Sequence, residues 1–212
     1  MSEQLLDKTL GTFLNELASG APTPGGGSVA ALTGAMAAGL ITMVCDLTIG
    51  KKAYAEFEAE AMSIRARAEE LRAELQQLAQ DDITTFSHLS AAYKLPRTTE
   101  ADAASRKAAI QRVLREATEV PLRTARAVVS LLPLCAPVAR HGNRSAVSDV
   151  AAAAILIRAA VPAALLNVET NLMMLEDQLF VHQTRAQVED LTIGLDEEVE
   201  GVLALARARI QG

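Results

Sequence analysis

The sequence predicts an all-α domain, an up-and-down bundle of about six helices, some of them long and bent at prolines. Half of the residues are hydrophobic, yet only 3% are aromatic and none is tryptophan. The core is therefore built from Ala, Leu, Val, Ile and Met, a composition that favours close-packed helices over strands. Apolar residues also recur at three- and four-residue steps, and stretches rich in proline or glycine punctuate them. No composition break divides the 212 residues, so 1–212 reads as one domain.

Leu6, Leu10, Phe13, Leu14 and Leu17 predict a first amphipathic helix over 3–19. The run from Ala21 to Gly27, with two prolines and three glycines, breaks it. Ser28 is the expected N-cap of a second helix reaching about Ile49. Ala30, Gly34 and Ala38 lie along one face of it, inviting another backbone to pack close, within the chain or across a dimer. A turn at Gly50-Lys51-Lys52 leads into a third helix, from about Ala53 to Tyr93, and Pro96 closes that region. A fourth region covers about 100–139, interrupted near Pro121, Pro133 and Pro137. After an Arg140–Asn143 loop, a fifth helix runs from Ser145 to about Gln183, bent at Pro162. A sixth spans 184–210.

A net charge of −6 with no cluster of basic residues argues against nucleic acid. Met1-Ser2-Glu3-Gln4 has neither the basic start nor the apolar core of a secretory leader. Val29–Cys45 is apolar but short of the ~20 residues of a membrane span, so a buried core helix is expected there. Cys45 and Cys135 sit in apolar runs without metal-ligand spacing and read as free thiols of a reducing compartment, the cytoplasm. His88, His141 and His182 are scattered, so no zinc is expected. His141 is placed in the loop beside Asn143, as an exposed histidine or one able to titrate there.

Some residues break the helical pattern. Leu71, Leu75, Leu78, Asp82, Phe86 and Leu89 form one stripe, so Asp82 occupies a slot that suits an aliphatic side chain. Asp81 falls at the edge of that stripe. A buried carboxylate needs a cation, a donor or a ligand, unless it simply bridges two helices. Asp149, Ala153, Leu156, Ala160, Ala163, Asn167 and Asn171 form a second stripe with three polar members. Asp149 and Asn167 point the same way but stand ~27 Å apart along the axis. They serve either an elongated ligand or two environments, and the amides suit interhelical hydrogen bonds equally well. Gly25, Gly26, Gly27 and Ser28 open a helix, where bare amides attract anions, although the P-loop lysine and the strand of a dinucleotide site are missing. Ser145 or Ser148 is placed to cap the fifth helix, with Asp149 at the favourable end of its dipole.

These residues resemble the cyclodeaminase/cyclohydrolase family of folate enzymes over nearly the whole chain. The matching stretches include Phe13-Leu14, Pro22 to Ala31, Leu47 to Lys52, Asp82 with Phe86, Ala92 to Pro96, Val120-Pro121-Leu122, Gly142-Asn143 with Ser148-Asp149, and Asn167-Val168 with Asn171. Arg140-His141 and Arg97 depart from the family pattern.

The resemblance implies an all-helical homodimer in the cytoplasm, acting on a tetrahydrofolate one-carbon derivative without metal, cofactor, membrane or nucleic acid. Asp82, Asn143, Ser148 and Asp149 are then candidates for the pterin. Lys51, Lys52 and the amides of the Pro24–Ser28 helix start are candidates for the anionic tail, and Asn167 for substrate binding. Asp82 is the expected base or anchor and Lys51 its electrostatic partner or acid. Methenyltetrahydrofolate cyclohydrolase is the leading expectation, favoured because no formiminotransferase domain accompanies the chain. Formiminotetrahydrofolate cyclodeaminase and a non-catalytic folate-binding or scaffold protein are the alternatives.

Overall fold

The computed structural model describes residues 4–212. The first residue of the predicted opening helix therefore lies outside the described residues. Eight α-helices are present among those described: α1 (Leu10–Leu17), α2 (Gly26–Thr48), α3 (Glu58–Tyr93), α4 (Glu100–Val129), α5 (Leu132–His141), α6 (Val147–Leu172), α7 (Gln178–Thr192) and α8 (Leu195–Gln211). Short 3₁₀ turns at Leu5–Asp7, Lys52–Phe57 and Arg144–Ala146 lead into α1, α3 and α6. The all-α, up-and-down expectation holds.

The differences lie at boundaries and have local causes. Thr9 caps α1 by accepting from the Thr12 amide, which splits the predicted first helix from the 3₁₀ turn before it. Ser130-Leu131 divides the fourth region, with Pro133 in the first turn of α5. Pro121 and Pro137, in contrast, lie inside continuous helices. The predicted fifth helix ends at Leu172, and Asp177 caps α7 through the Phe180 amide. Gly194, at φ 73°, makes the left-handed turn that separates α7 from α8.

Helix α2 is the centre of the bundle, packed most extensively against α3 and α6, with α4 closing the ring between those two. Its small-residue face is used inside the chain. A Cβ at Gly34 would stand 2.5 Å from Val128 Cγ2 and 3.2 Å from Leu75 Cδ1. Helices α3 and α6 run antiparallel to α2, because its first turn meets Asp82 and Asn167 while its last meets the segment before α6. Leu71, Leu75, Leu78, Ile41, Val44, Leu114, Leu122, Val150 and Ile157 fill the interior, each at 1% exposure or less.

Central position makes these helices apolar on almost every side. Gly26–Thr48, Glu100–His141 and Arg144–Leu172 are, by length and composition, long and apolar enough to cross a membrane. The expectation of too short a segment in α2 is corrected by its 23 residues. In this fold, 61% of its most apolar window is buried against neighbouring helices.

Candidate functional site

The residues singled out in the sequence gather at the two ends of α2. At its first turn, Gly25 is the N-cap, so Ser28 lies inside the helix rather than capping it. The amides of that turn have no partner within the helix, and they face α3. Ser28, fully buried, donates its hydroxyl to Asp82 Oδ2 at 2.8 Å, and its backbone N–H also reaches this carboxylate. The anion drawn to the glycine-rich start is thus the chain's own Asp82. Gly27 makes this possible: a Cβ there would stand 2.1 Å from Oδ1 and 2.6 Å from Cγ of Asp82. Burial raises the Asp82 carboxyl above its ordinary value, and the Ser28 hydrogen bonds pull part of that back.

Asp82 opens onto a narrow cleft of about 90 Å³ between α3, α4 and α6. Thr85, Phe86, Leu89, Val120, Pro121, Asn167 and Asn171 line it, with Ala117. Asn167 donates to Ala163 O at 2.9 Å, and Gly26 lies close to its amide nitrogen. Asn171 donates to Ala117 O at 2.7 Å. Asn167 was a candidate in the sequence for its place on a stripe. The roles of Asn171, Thr85 and Pro121 emerge only from the assembled cleft, although Asn171 shares the Asn167 stripe. Pro24, preceded by a cis peptide bond, is buried under the same turn.

The other end of α2 holds a different set. Thr48 Oγ1 accepts from the Asn143 backbone N–H at 2.9 Å, and the Asn143 side chain donates to Leu47 O at 2.8 Å. Asn143 Oδ1 in turn accepts from the Ser145 amide, so Asn143, rather than Ser145 or Ser148, caps the 3₁₀ turn leading into α6. Arg144 N–H donates to Tyr54 Oη at 3.1 Å. Asn143 is therefore a structural staple first. Lys51, Lys52 and Ser148 are exposed here and Asp149 is half-buried. His141 is the last residue of α5, not a loop residue, and its ring lies 5.4 Å from that of Phe57.

Ser28 and Thr48 are 20 residues apart on α2, which sets the two groups roughly 30 Å from each other within one chain. Three groupings expected from the sequence are not brought together within one chain. Lys51 is not beside Asp82 in the same chain, and the lysines and the glycine-rich start do not form one anion site. Asn143, Ser148 and Asp149 likewise stand at the end opposite Asp82. Among the described residues, no three His, Cys, Asp or Glu side chains come together as a metal ligand set.

Comparison with known proteins supplies a second line of argument. A sequence profile described as Formiminotransferase-cyclodeaminase matches residues 9–190. The chain is 42% identical to the methenyltetrahydrofolate cyclohydrolase of Methylorubrum extorquens over 185 residues, 87% of this chain and 89% of that protein. It is 36% identical to the formimidoyltransferase-cyclodeaminase of Sus scrofa over 89% of this chain but only 35% of that longer protein. The crystal structure of formiminotetrahydrofolate cyclodeaminase from Thermotoga maritima superposes with a TM-score of 0.86 at 29% identity. That match covers 98% of this chain and all of the solved one.

Proposed function

Since this chain belongs to the formiminotransferase-cyclodeaminase family, we propose that it is a methenyltetrahydrofolate cyclohydrolase, opening 5,10-methenyltetrahydrofolate to 10-formyltetrahydrofolate. The observation that carries this reading is the 42% identity to the M. extorquens cyclohydrolase across nearly the full length of both chains. Chain length does not decide the matter, because the T. maritima cyclodeaminase is also matched end to end. That structural likeness makes formiminotetrahydrofolate cyclodeaminase the second reading. In one reaction water adds to the methenyl carbon and the C–N5 bond opens. In the other N10 attacks a formimino carbon and ammonia leaves. Both are an addition followed by an elimination at a single carbon, assisted by one proton acceptor and one proton donor, and call for no metal or cofactor.

We propose further that the enzyme is a cytoplasmic homodimer whose site is completed between subunits. The roughly 30 Å between Asp82 and Lys51 in one chain supports this. A two-fold axis across the middle of α2 lays the two copies of that helix antiparallel, and so sets the partner subunit's Lys51 beside Asp82. The surface there suits such a contact. Met36, Met43 and Leu47 recur on one face of α2, with Met36 57% exposed. In this arrangement Lys51 acts as electrostatic partner or acid, and Lys52 adds positive charge for the substrate's anionic end. The buried thiols of Cys45 and Cys135 suit a reducing compartment.

Incubation of the purified protein with 5,10-methenyltetrahydrofolate, following loss of its absorbance, tests the activity. A parallel incubation with the formimino compound, following ammonia, tests the second reading. Turnover of neither substrate overturns both.

A further inference from the structure

Lys51 is held at its base from both sides. Its backbone N–H donates to Thr48 O at 3.3 Å, and its carbonyl accepts the Tyr54 N–H at 2.9 Å. The side chains of those same two residues are tied to one short segment far away in the sequence. Thr48 Oγ1 accepts the Asn143 N–H at 2.9 Å, and Tyr54 Oη accepts the next amide, that of Arg144, at 3.1 Å. The Thr48 hydroxyl proton goes to Val44 O, so a lone pair is left for Asn143. The receiving segment is itself anchored. Arg144 Nε donates to Arg209 O at 2.9 Å, and Arg209 Nη1 donates to Ala139 O at 3.1 Å, joining α8 and α5. Gly50, at φ 73°, turns the chain between the two ties.

We propose that Thr48 and Tyr54 form a two-point clamp that positions Lys51 for the reaction. The inference rests on the reading that gives Lys51 a part in folate turnover, and adds the residues that act through that lysine. A lysine ammonium rides on a flexible four-carbon stem. Among the described residues no carboxylate pairs with Lys51 Nζ, so its place is set by its backbone. Docking of the Lys52–Phe57 turn does not by itself call for the Tyr54 hydroxyl. Phe57, 6% exposed, already packs that turn onto the end of α5, with its ring 5.4 Å from that of His141. Capping does not call for it either, because the Asn143 side chain caps the Arg144–Ala146 turn through the Ser145 amide. What Tyr54 Oη adds is register. Amides one residue apart hold a nearly fixed spacing, so Thr48, Tyr54 and the lysine between them cannot slide independently of the bundle. The Asn143–Arg144 segment also leads into α6, so the clamp sets Lys51 against the start of the helix that carries Ser148 and Asp149.

Tyr54→Phe removes the acceptor and keeps the ring. Hydrogen exchange read by mass spectrometry should quicken about three- to tenfold in 49–57 and 142–147 and stay unchanged in the interior of α2. With the folate that the wild type turns over, kcat should fall roughly ten- to a hundredfold, the scale of a reacting group misplaced by ~1 Å. KM should stay within about twofold, since binding is not what the clamp serves. Thr48→Val should lose turnover likewise, and Thr48→Ser should recover most of it. Lys51→Arg keeps the cation but not its geometry, so Tyr54→Phe should cost much less in that background. Unchanged exchange in Tyr54→Phe overturns the clamp. Quicker exchange with the wild-type kcat overturns its positioning role, and so does a loss by the same factor in the wild-type and Lys51→Arg backgrounds. Turnover of neither folate by the wild type overturns the enzyme reading and the purpose of the clamp with it. Turnover by the wild type with exchange unmoved in Tyr54→Phe overturns the clamp alone.

Discussion

Asn171 Nδ2 lies 2.7 Å from the carbonyl oxygen of Ala117, and Ala117 is the residue four positions before Pro121. In an unbroken helix that carbonyl accepts the amide of residue 121, which proline does not possess. A side chain of α6 therefore completes the ladder of α4, and α4 stays helical through its proline. The same contact fixes the orientation of the Asn171 amide, so one side chain both repairs α4 and lines the cleft beside Asp82. Asn171→Leu should cost about 1–3 kcal/mol, the penalty for a half-buried carbonyl left unpaired. Pro121→Ala restores the amide, and in that background the Asn171→Leu cost should shrink markedly. Urea unfolding of the four proteins checks it, and identical costs in both backgrounds would refute the coupling.

Gly26 and Gly27 are adjacent in the sequence and opposite in consequence. A Cβ on Gly26 meets nothing closer than Asn167 Nδ2 at 3.7 Å, whereas one on Gly27 meets Asp82 Oδ1 at 2.1 Å. Alanine in a helix is worth ~0.5–1 kcal/mol over glycine. Gly26→Ala should therefore leave stability unchanged or slightly raised. Gly27→Ala should lose about 1–3 kcal/mol and most activity, because the carboxylate must swing off Ser28. Thermal melts and turnover of the pair decide the point. Matching melts for the two variants would show that Asp82 moves aside at no cost.

What the sequence reveals, and what it hides, follows from range. Asp82 is legible because a carboxylate at a fixed helical step interrupts Leu71, Leu75 and Leu78, all of them buried. Local periodicity suffices for that. The splits at Ser130 and Gly194 are harder to read, since apolar residues continue on both sides of each. The glycine run announces a close approach, but its partner is 54 residues away in α3, and nothing local distinguishes a ligand anion from the chain's own carboxylate. Lys51 and Asp82 look like neighbours as members of one motif set. Only the length of α2 shows that they stand at opposite ends.

Asp82 should make the protein less stable at neutral pH than its amide. Burial raises its carboxyl above the ordinary value of 3.8, so the folded chain holds this proton more tightly than the unfolded chain. The associated stability is fully present below the unfolded value and is lost as pH rises through the folded one. At pH 7 the charged group sits half-buried at a net cost. Asp82→Asn keeps an acceptor for Ser28 and removes the charge. It should melt a few degrees higher at pH 7, with the gain fading as pH falls towards the ordinary carboxylate range. A melting difference that grows towards acid would invert the sign and place the Asp82 carboxyl below its ordinary value.

Mixing two inactive variants tests whether the site is shared. Asp82→Asn and Lys51→Met each disable both sites of a homodimer if every site draws Asp82 from one subunit and Lys51 from the other. A mixed dimer then holds one site with both replacements and one with neither. Random re-association makes about half of the dimers mixed, so the pool should recover roughly a quarter of wild-type turnover. Met36→Glu, which puts a charge on the exposed face of α2, should abolish this recovery and yield a folded monomer by sedimentation. If Asp82 and Lys51 instead acted within one chain, every chain in the mixture would still carry a lesion in its own site, and no recovery would appear at any ratio. An Asp82→Asn/Lys51→Met double variant mixed with wild type sharpens the contrast. Mixed dimers of that pair pair each wild-type residue with a replaced one in a shared site, so turnover should fall below the wild-type share.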